Sequence, residues 1–270
     1  MKKLIARYRY SAILLRQLVK TDFKLRYQNS VLGYLWTLLR PLFLFAILYV
    51  VFVKILKTTG DVPHFGVYLL LGIVIWNYFV EVTVGSIAVV VSKGDMMRKV
   101  SFPRYVIVLA GSFAALINLV FNFVIVGVFM AIVRTRVSPT IVFLPLLVLE
   151  LFVFSLSVSF LLSALYVKFR DIGFIWEVGI QGAFFATPIM YAYSLVTSKS
   201  LLLGKILMIN PITQLMQDMR YMMISPKTAT INSVFGSGWA RAIPVSIVII
   251  IGLVSAVYFK WRSPYFAEDV

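Results

Sequence analysis

A chain of 270 residues of which 61% are hydrophobic and 13% charged, with mean hydropathy +0.95, is too apolar for a water-soluble domain. Its net charge of +16 sits mostly in short segments between apolar runs, the pattern of membrane topology rather than of a nucleic-acid-binding face, and no nucleic-acid partner is expected. With no cysteine, disulfides, thiolate catalysis and cysteine-ligated metals are excluded.

Residues 4 to 27 place Leu4, Tyr8, Ala12, Leu15, Val19 and Phe23 at helical spacing beside Arg16, Lys20 and Lys24, which predicts an amphipathic helix on the membrane surface. This segment lacks the short apolar core and small-residue cleavage site of a secretory signal, and no cleavage is expected. Six apolar runs follow: Leu32 to Val53, Phe65 to Val91, Tyr105 to Val133, Ile141 to Val167, Ile172 to Tyr193 and Ile243 to Phe259. A bilayer core needs about 20 apolar residues per helix, so each run can span, the last only just. The fold class is therefore all-α integral membrane, a single domain of about six spans with both termini on one side.

Grouping residues 1–31, 92–104, 168–171 and the tail after Phe259 on one side collects sixteen of the 26 Lys and Arg, and that side is assigned to the cytoplasm. The other side receives the long connection Ser194 to Ala242. Within it, Leu201 to Ile209 and Ile212 to Ile224 are apolar but too short to span, with Asn210-Pro211 between them, which predicts re-entrant or interfacial helices before the last span.

The phosphate-cradling pattern G-x-x-x-x-G-K-[ST] is absent: the nearest fragment, Gly204-Lys205, has Lys199 in place of the first glycine and Ile206 in place of the hydroxyl. The chain therefore carries no ATPase of its own. His64, the only histidine, lies in an external loop without a catalytic or metal-binding partner, and no metal site is expected. Charges inside spans are costly and must face protein or water: Arg40, Glu81, Glu150 and Glu177. Each reads either as part of a polar pathway or as a helix-to-helix contact. Trp76, Tyr78 and Phe79, then Phe184, Phe185, Tyr191 and Tyr193, read as packing or interfacial belt, or as a channel wall on which sugar rings can stack. The segment Lys93 to Arg104, basic, amphipathic and closed by Pro103, would lie along the cytoplasmic surface, facing either a soluble partner or anionic membrane lipid.

This order of parts resembles the permease subunits of bacterial ABC exporters for lipid-linked polysaccharides of the O-antigen and wall teichoic acid type. Four stretches carry the resemblance: Arg26-Tyr27-Gln28-Asn29-Ser30-Val31-Leu32-Gly33 with Trp36 and Pro41; Lys99-Val100-Ser101-Phe102-Pro103-Arg104; Phe169-Arg170-Asp171-Ile172; and Thr187-Pro188-Ile189-Met190-Tyr191 followed by Asn210-Pro211. One departure is Arg40, where the resemblance implies a neutral residue. The resemblance implies a bacterial inner-membrane homodimer resting on two copies of a separate ATPase subunit that holds ATP and magnesium; this chain itself would need no cofactor. It further implies coupling to that ATPase through Lys93, Arg98, Lys99, Phe102, Pro103 and Arg104, and an external gate around Pro188, Asn210 and Pro211. The cargo would be a glycan on a polyprenyl diphosphate, whose negative charges Arg26 and Arg40 would meet, with Trp76, Tyr78, Phe184, Phe185 and Tyr191 further along the pathway. An exporter of small lipophilic compounds with the same architecture, or a proton-coupled carrier using Glu81 and Glu150, are the alternatives.

Overall fold

The computed structural model describes residues 10–21, 33–56, 62–94 and 103–266. It is all-helical over these residues. Residues 10–21 form α1, whose half-buried or buried positions Ser11, Leu14, Leu15, Leu18 and Val19 make an i, i+3, i+4 stripe with Arg16 and Lys20 exposed beside it. The amphipathic helix is thus present, with its inner face centred one position away from the row expected through Ala12, which is exposed.

α2 (Leu35–Tyr49) runs on into a π-helical segment, Val50–Ile55, closed by the bond from the Leu56 N–H to the Val51 carbonyl at 2.8 Å. α3 (Phe65–Ile87) starts after the exposed His64, a left-handed residue whose carbonyl takes the Val67 and Tyr68 amides. A short α4 (Val89–Ser92) continues beyond a break at Ala88. α5 (Tyr105–Val133), α6 (Leu144–Lys168, preceded by a 3-10 turn at Pro139–Phe143), α7 (Ile172–Ala186), α8 (Tyr193–Lys199), α9 (Leu201–Ile209), α10 (Pro211–Met223), α11 (Ile231–Phe235) and α12 (Ala242–Arg262) follow.

Five segments among the described residues are long and apolar enough to cross a bilayer: Leu35–Ile55, Phe65–Ile87, Tyr105–Val133, Pro139–Lys168 and Ala242–Tyr265. The expected fifth run, Ile172 to Tyr193, departs from the sequence reading: its helix stops at Ala186 after 15 residues, a rise of roughly 22 Å against the ~30 Å of a hydrocarbon core. The cause is Pro188, which drives the preceding Thr187 into extended geometry (φ −85°, ψ 137°) and ends the helix there. By length the bundle has five spans and one shorter apolar helix.

α3 is apolar on every side and accordingly lies at the centre, buried along most of its length and packed on α2, α5, α6, α7 and α10. Its close approach to α6 depends on small residues: Ser159 donates to the Val82 carbonyl at 3.0 Å and Ser86 to the Ser159 carbonyl at 3.5 Å. α12 packs along the other side of α6, where Gly252 brings its backbone so near that a side chain would meet the Ser157 hydroxyl at 3.2 Å. α10 does not lie on the surface. Nearly all of it is enclosed by α3, α6 and α12, which makes it a helix inserted between spans.

Because Gly252 sits where α6 and α12 touch and Gly127 has nothing within 4 Å of where a side chain would begin, leucine at the two positions should differ. Gly252→Leu is expected to cost about 1 to 3 kcal/mol and lower the melting temperature of the detergent-purified protein, whereas Gly127→Leu should leave it near the parent value.

Candidate functional site

Between α2, α3 and α5 lies a cavity of about 280 Å³ whose wall mixes Trp36, Arg40, Asn77, Tyr78, Glu81, Asn118 and Asn122 with a few apolar side chains. Asn118 is near the middle of α5, thirteen residues after Tyr105 and fifteen before Val133, so the cavity is roughly 20 Å from either end of that helix. The Asn122 amide reaches toward the Thr37 carbonyl at 3.4 Å, which sets the first turn of α2 beside this level and carries Arg40 to the same depth. A polar concavity inside an apolar bundle is the default place to look for a binding function.

Its hydrogen bonding is only partly closed. Asn118 donates to Glu81 at 2.8 Å and Asn122 donates to the Asn118 backbone carbonyl at 2.8 Å. The Tyr78 hydroxyl and the side-chain carbonyl of Asn118, on residues 3% and 4% exposed, have no hydrogen-bond partner among the described residues. Arg40 is exposed at the cavity's rim and, among the described residues, enters no hydrogen bond or ion pair. Buried polar atoms left open in this way ordinarily meet water or a ligand.

A second polar centre, which sequence reasoning did not single out, is Arg220 on α10. It is fully buried and makes five hydrogen bonds: Nε and Nη2 to the Tyr68 carbonyl at 3.2 and 2.9 Å, Nη1 to the Pro188 carbonyl at 2.7 Å and to Gln217 at 3.4 Å, and Nη2 to the Ile189 carbonyl at 3.1 Å. The cation also lies 3.4 Å from the centre of the Tyr68 ring. Pro188 and Ile189 are the residues at which α7 is broken, so Arg220 receives the carbonyls that the break releases and ties them to α3. The only sequence signal was a charge inside a semi-apolar segment.

The other expected site residues divide among separate places. Arg40 and Tyr78 share the cavity. Trp76 is buried against Phe79 and Phe184, with ring centres 6.0 and 5.9 Å apart, and Phe184 meets Phe185, whose other side is exposed. The Tyr191 hydroxyl donates to the Ala186 carbonyl at 3.0 Å and toward that of Phe185 at 3.3 Å, closing the end of α7. Asn210 caps α10 by accepting the Ile212 amide at 3.0 Å, with Pro211 at the first helical position. Pro103 and Arg104 border α12, where Arg104 donates to the Ser263 carbonyl, and Lys93 is half-buried after α4. Arg26, Arg98, Lys99 and Phe102 lie outside the described residues.

The remaining intramembrane charges are likewise dispersed. Glu150 lies with Asp218 and Arg241, the latter pair 3.5 Å apart, and Gln214 donates to Asp218 at 2.7 Å. Glu81 belongs instead to the cavity, so the two carboxylates weighed as proton sites sit in different clusters. Glu177 is exposed on α7. Gly204 is a packing glycine where α8 meets α9: a side chain there would meet Thr197 at 2.6 Å, and its carbonyl accepts the Tyr193 hydroxyl at 2.7 Å. Burial pushes that phenol up to about 12, which keeps it a donor at physiological pH.

Five apolar segments of spanning length around a polar-lined cavity define a membrane-embedded protein. A family model described as ABC-2 type transporter matches residues 13–224, and the chain belongs to that family. Among its relatives is an O-antigen export system permease protein RfbA of Klebsiella pneumoniae, 29% identical over 187 residues, covering 69% of this chain and 71% of that protein. A second of the same name from Klebsiella pneumoniae is 26% identical over 94% of both chains. A third, from Myxococcus xanthus, is 26% identical over 97% of both. The chain is thus a multi-pass membrane component of an ABC transporter.

Removing the Arg220 fork should leave the carbonyls of Pro188 and Ile189 unmet inside the bundle, while the Tyr68 carbonyl keeps its helical partner. Arg220→Met is expected to cost about 3 kcal/mol or more, and Arg220→Lys should recover less than half of it, because a single ammonium cannot reach the same set of acceptors. Thermal unfolding in detergent reads both; a lysine variant that melts with the parent would show that the fork geometry is immaterial.

Proposed function

We propose that this chain is the membrane-spanning permease of an ATP-driven exporter that carries a polysaccharide, built on a polyprenyl diphosphate, outward across the inner membrane of a bacterium. The observation that carries this reading is the correspondence, over more than nine-tenths of both chains, with permeases named for O-antigen export. The cavity at the middle of α3 and α5 supports it, since a hydrophilic cargo needs polar groups at that depth. ATP and magnesium are supplied on a separate ATPase subunit, in keeping with the missing phosphate-binding motif. Both termini lie in the cytoplasm on this reading, following the charge bias of the loops.

The working unit is a homodimer. α7 buries only Ile180, and its uncovered faces carry Glu177 and Gln181 among Gly179 and Gly182, at both of which a side chain would meet nothing within 4 Å. A carboxylate and an amide are unsuited to lipid, so a second copy or the pathway between copies covers this surface. Closure of the ATPase pair rocks the two halves and opens the external ends near Pro188, Asn210 and Pro211.

Three outcomes are expected. In a host lacking its own exporter, the chain expressed with its ATPase should restore glycan to the cell surface; a wild-type amount of the complex with no surface glycan would overturn the assignment. Gln181→Cys, the sole thiol in this chain, should form a cross-linked dimer on mild oxidation, and a product that stays monomeric would count against the α7 interface. Arg98→Glu with Lys99→Glu should insert normally while losing ATPase copurification and export, which an unaltered pull-down would contradict.

A further inference from the structure

We propose that the cavity between α2, α3 and α5 is a subsite for a single polyhydroxylated sugar ring of the glycan in transit, rather than for its diphosphate. The inference rests on the glycan-export reading and adds to it the place and the chemical class of the contact. The wall residues state what they need. The Tyr78 hydroxyl can give and accept one bond, and the Asn118 side-chain carbonyl can only accept; both are buried and neither has a partner among the described residues. Arg40 can only donate and is without a partner among the described residues, while Asn77 offers both a donor and an acceptor on the same wall.

An ionised diphosphate presents acceptors alone. It would satisfy Arg40 but leave the Asn118 carbonyl open, and it would be set beside the Glu81 side chain that Asn118 holds at 2.8 Å. A sugar ring presents hydroxyls that each donate and accept, so it can answer Arg40, Asn77, Tyr78 and Asn118 together. The volume of about 280 Å³ admits one ring with little room for a second. Trp36, 45% exposed at the first turn of α2, adds an apolar face of the kind on which the C–H side of a pyranose rests. The position also suits a polymer: a site at the middle of the bundle holds one residue of a chain at a time, weakly and repeatedly, whereas the diphosphate passes only once.

The chain has no cysteine, so Val80→Cys, at the cavity wall, gives this subunit one reporter thiol. The complex with its ATPase, in nanodiscs, is treated with a small water-soluble methanethiosulfonate in the presence of a trisaccharide fragment of the cell's own surface glycan or of inorganic pyrophosphate. The trisaccharide should slow labelling roughly tenfold at about ten times its half-protecting concentration, and pyrophosphate should leave the rate unchanged. Tyr78→Phe, which removes a hydroxyl without a partner among the described residues, should raise the half-protecting concentration roughly threefold to tenfold with the melting temperature retained. Protection by pyrophosphate and not by the trisaccharide would make the cavity an anion site and overturn the proposal. So would a thiol that never labels, or one protected by neither probe while Val80→Cys cells still display surface glycan; in that case the export reading survives and the cavity is polar packing. Absence of surface glycan even from the parent chain overturns the export reading, and the sugar subsite with it.

Discussion

Backbone that leaves the helix inside an apolar bundle must find its hydrogen bonds in protein, because lipid offers none, and in this chain that demand falls on Arg220. Pro188 ends α7, and the carbonyls of Pro188 and Ile189 would otherwise point into an apolar interior. The guanidinium accepts this role because its planar fork can address several carbonyls at once, and the face of Tyr68 at 3.4 Å shields the charge. Gly72 makes the room: a side chain there would stand 2.5 Å from Nη2. The fixed fork holds three things in register, the inserted helix α10, the centre helix α3 and the strand-like turn after α7.

With α3 locked at that end, its other faces become dependable walls. Toward α6 the wall is made of small hydroxylated residues that let the helices close. Toward α2 and α5 it carries Asn77, Tyr78 and Glu81, and there a cavity opens beside buried polar atoms that have no hydrogen-bond partner among the described residues. The contrast is informative, since the same helix closes its polar groups against α6 with serine-to-carbonyl bonds and leaves them open against α2. A polar cavity at mid-depth between α2, α3 and α5 agrees with a membrane component of a transporter.

The bundle is also unfinished at its edge. α2 is scarcely buried, and α7 turns Phe174, Ile175, Val178 and Phe185 outward together with Glu177 and Gln181. Apolar residues can face lipid; a carboxylate cannot do so cheaply. α7 therefore exposes two polar side chains beside its apolar ones.

The fold class, the long apolar helices and the side-to-side charge bias were readable from composition and order alone, because the length of an apolar run and the presence of proline or asparagine at its ends are local properties. The α5 limits Tyr105 and Val133, the segment Leu201–Ile209, the helix after Asn210 expected over Ile212 to Ile224 and observed at Pro211–Met223, and the absence of a nucleotide-binding motif were all legible in this way. The shortening of α7 was legible in principle, since Pro188 stood inside the apolar run, but hydropathy alone passes over it. The company each polar residue keeps emerged only from the packing of the helices. Arg220 meets Tyr68 across 152 positions and Asn118 meets Glu81 across 37, distances at which periodicity carries no information. For the same reason Trp76, Tyr78, Phe184 and Tyr191, alike in composition, were separated by the fold into core packing, cavity wall and helix cap: burial is set by what packs around a side chain, and that is fixed only when every helix has found its neighbours.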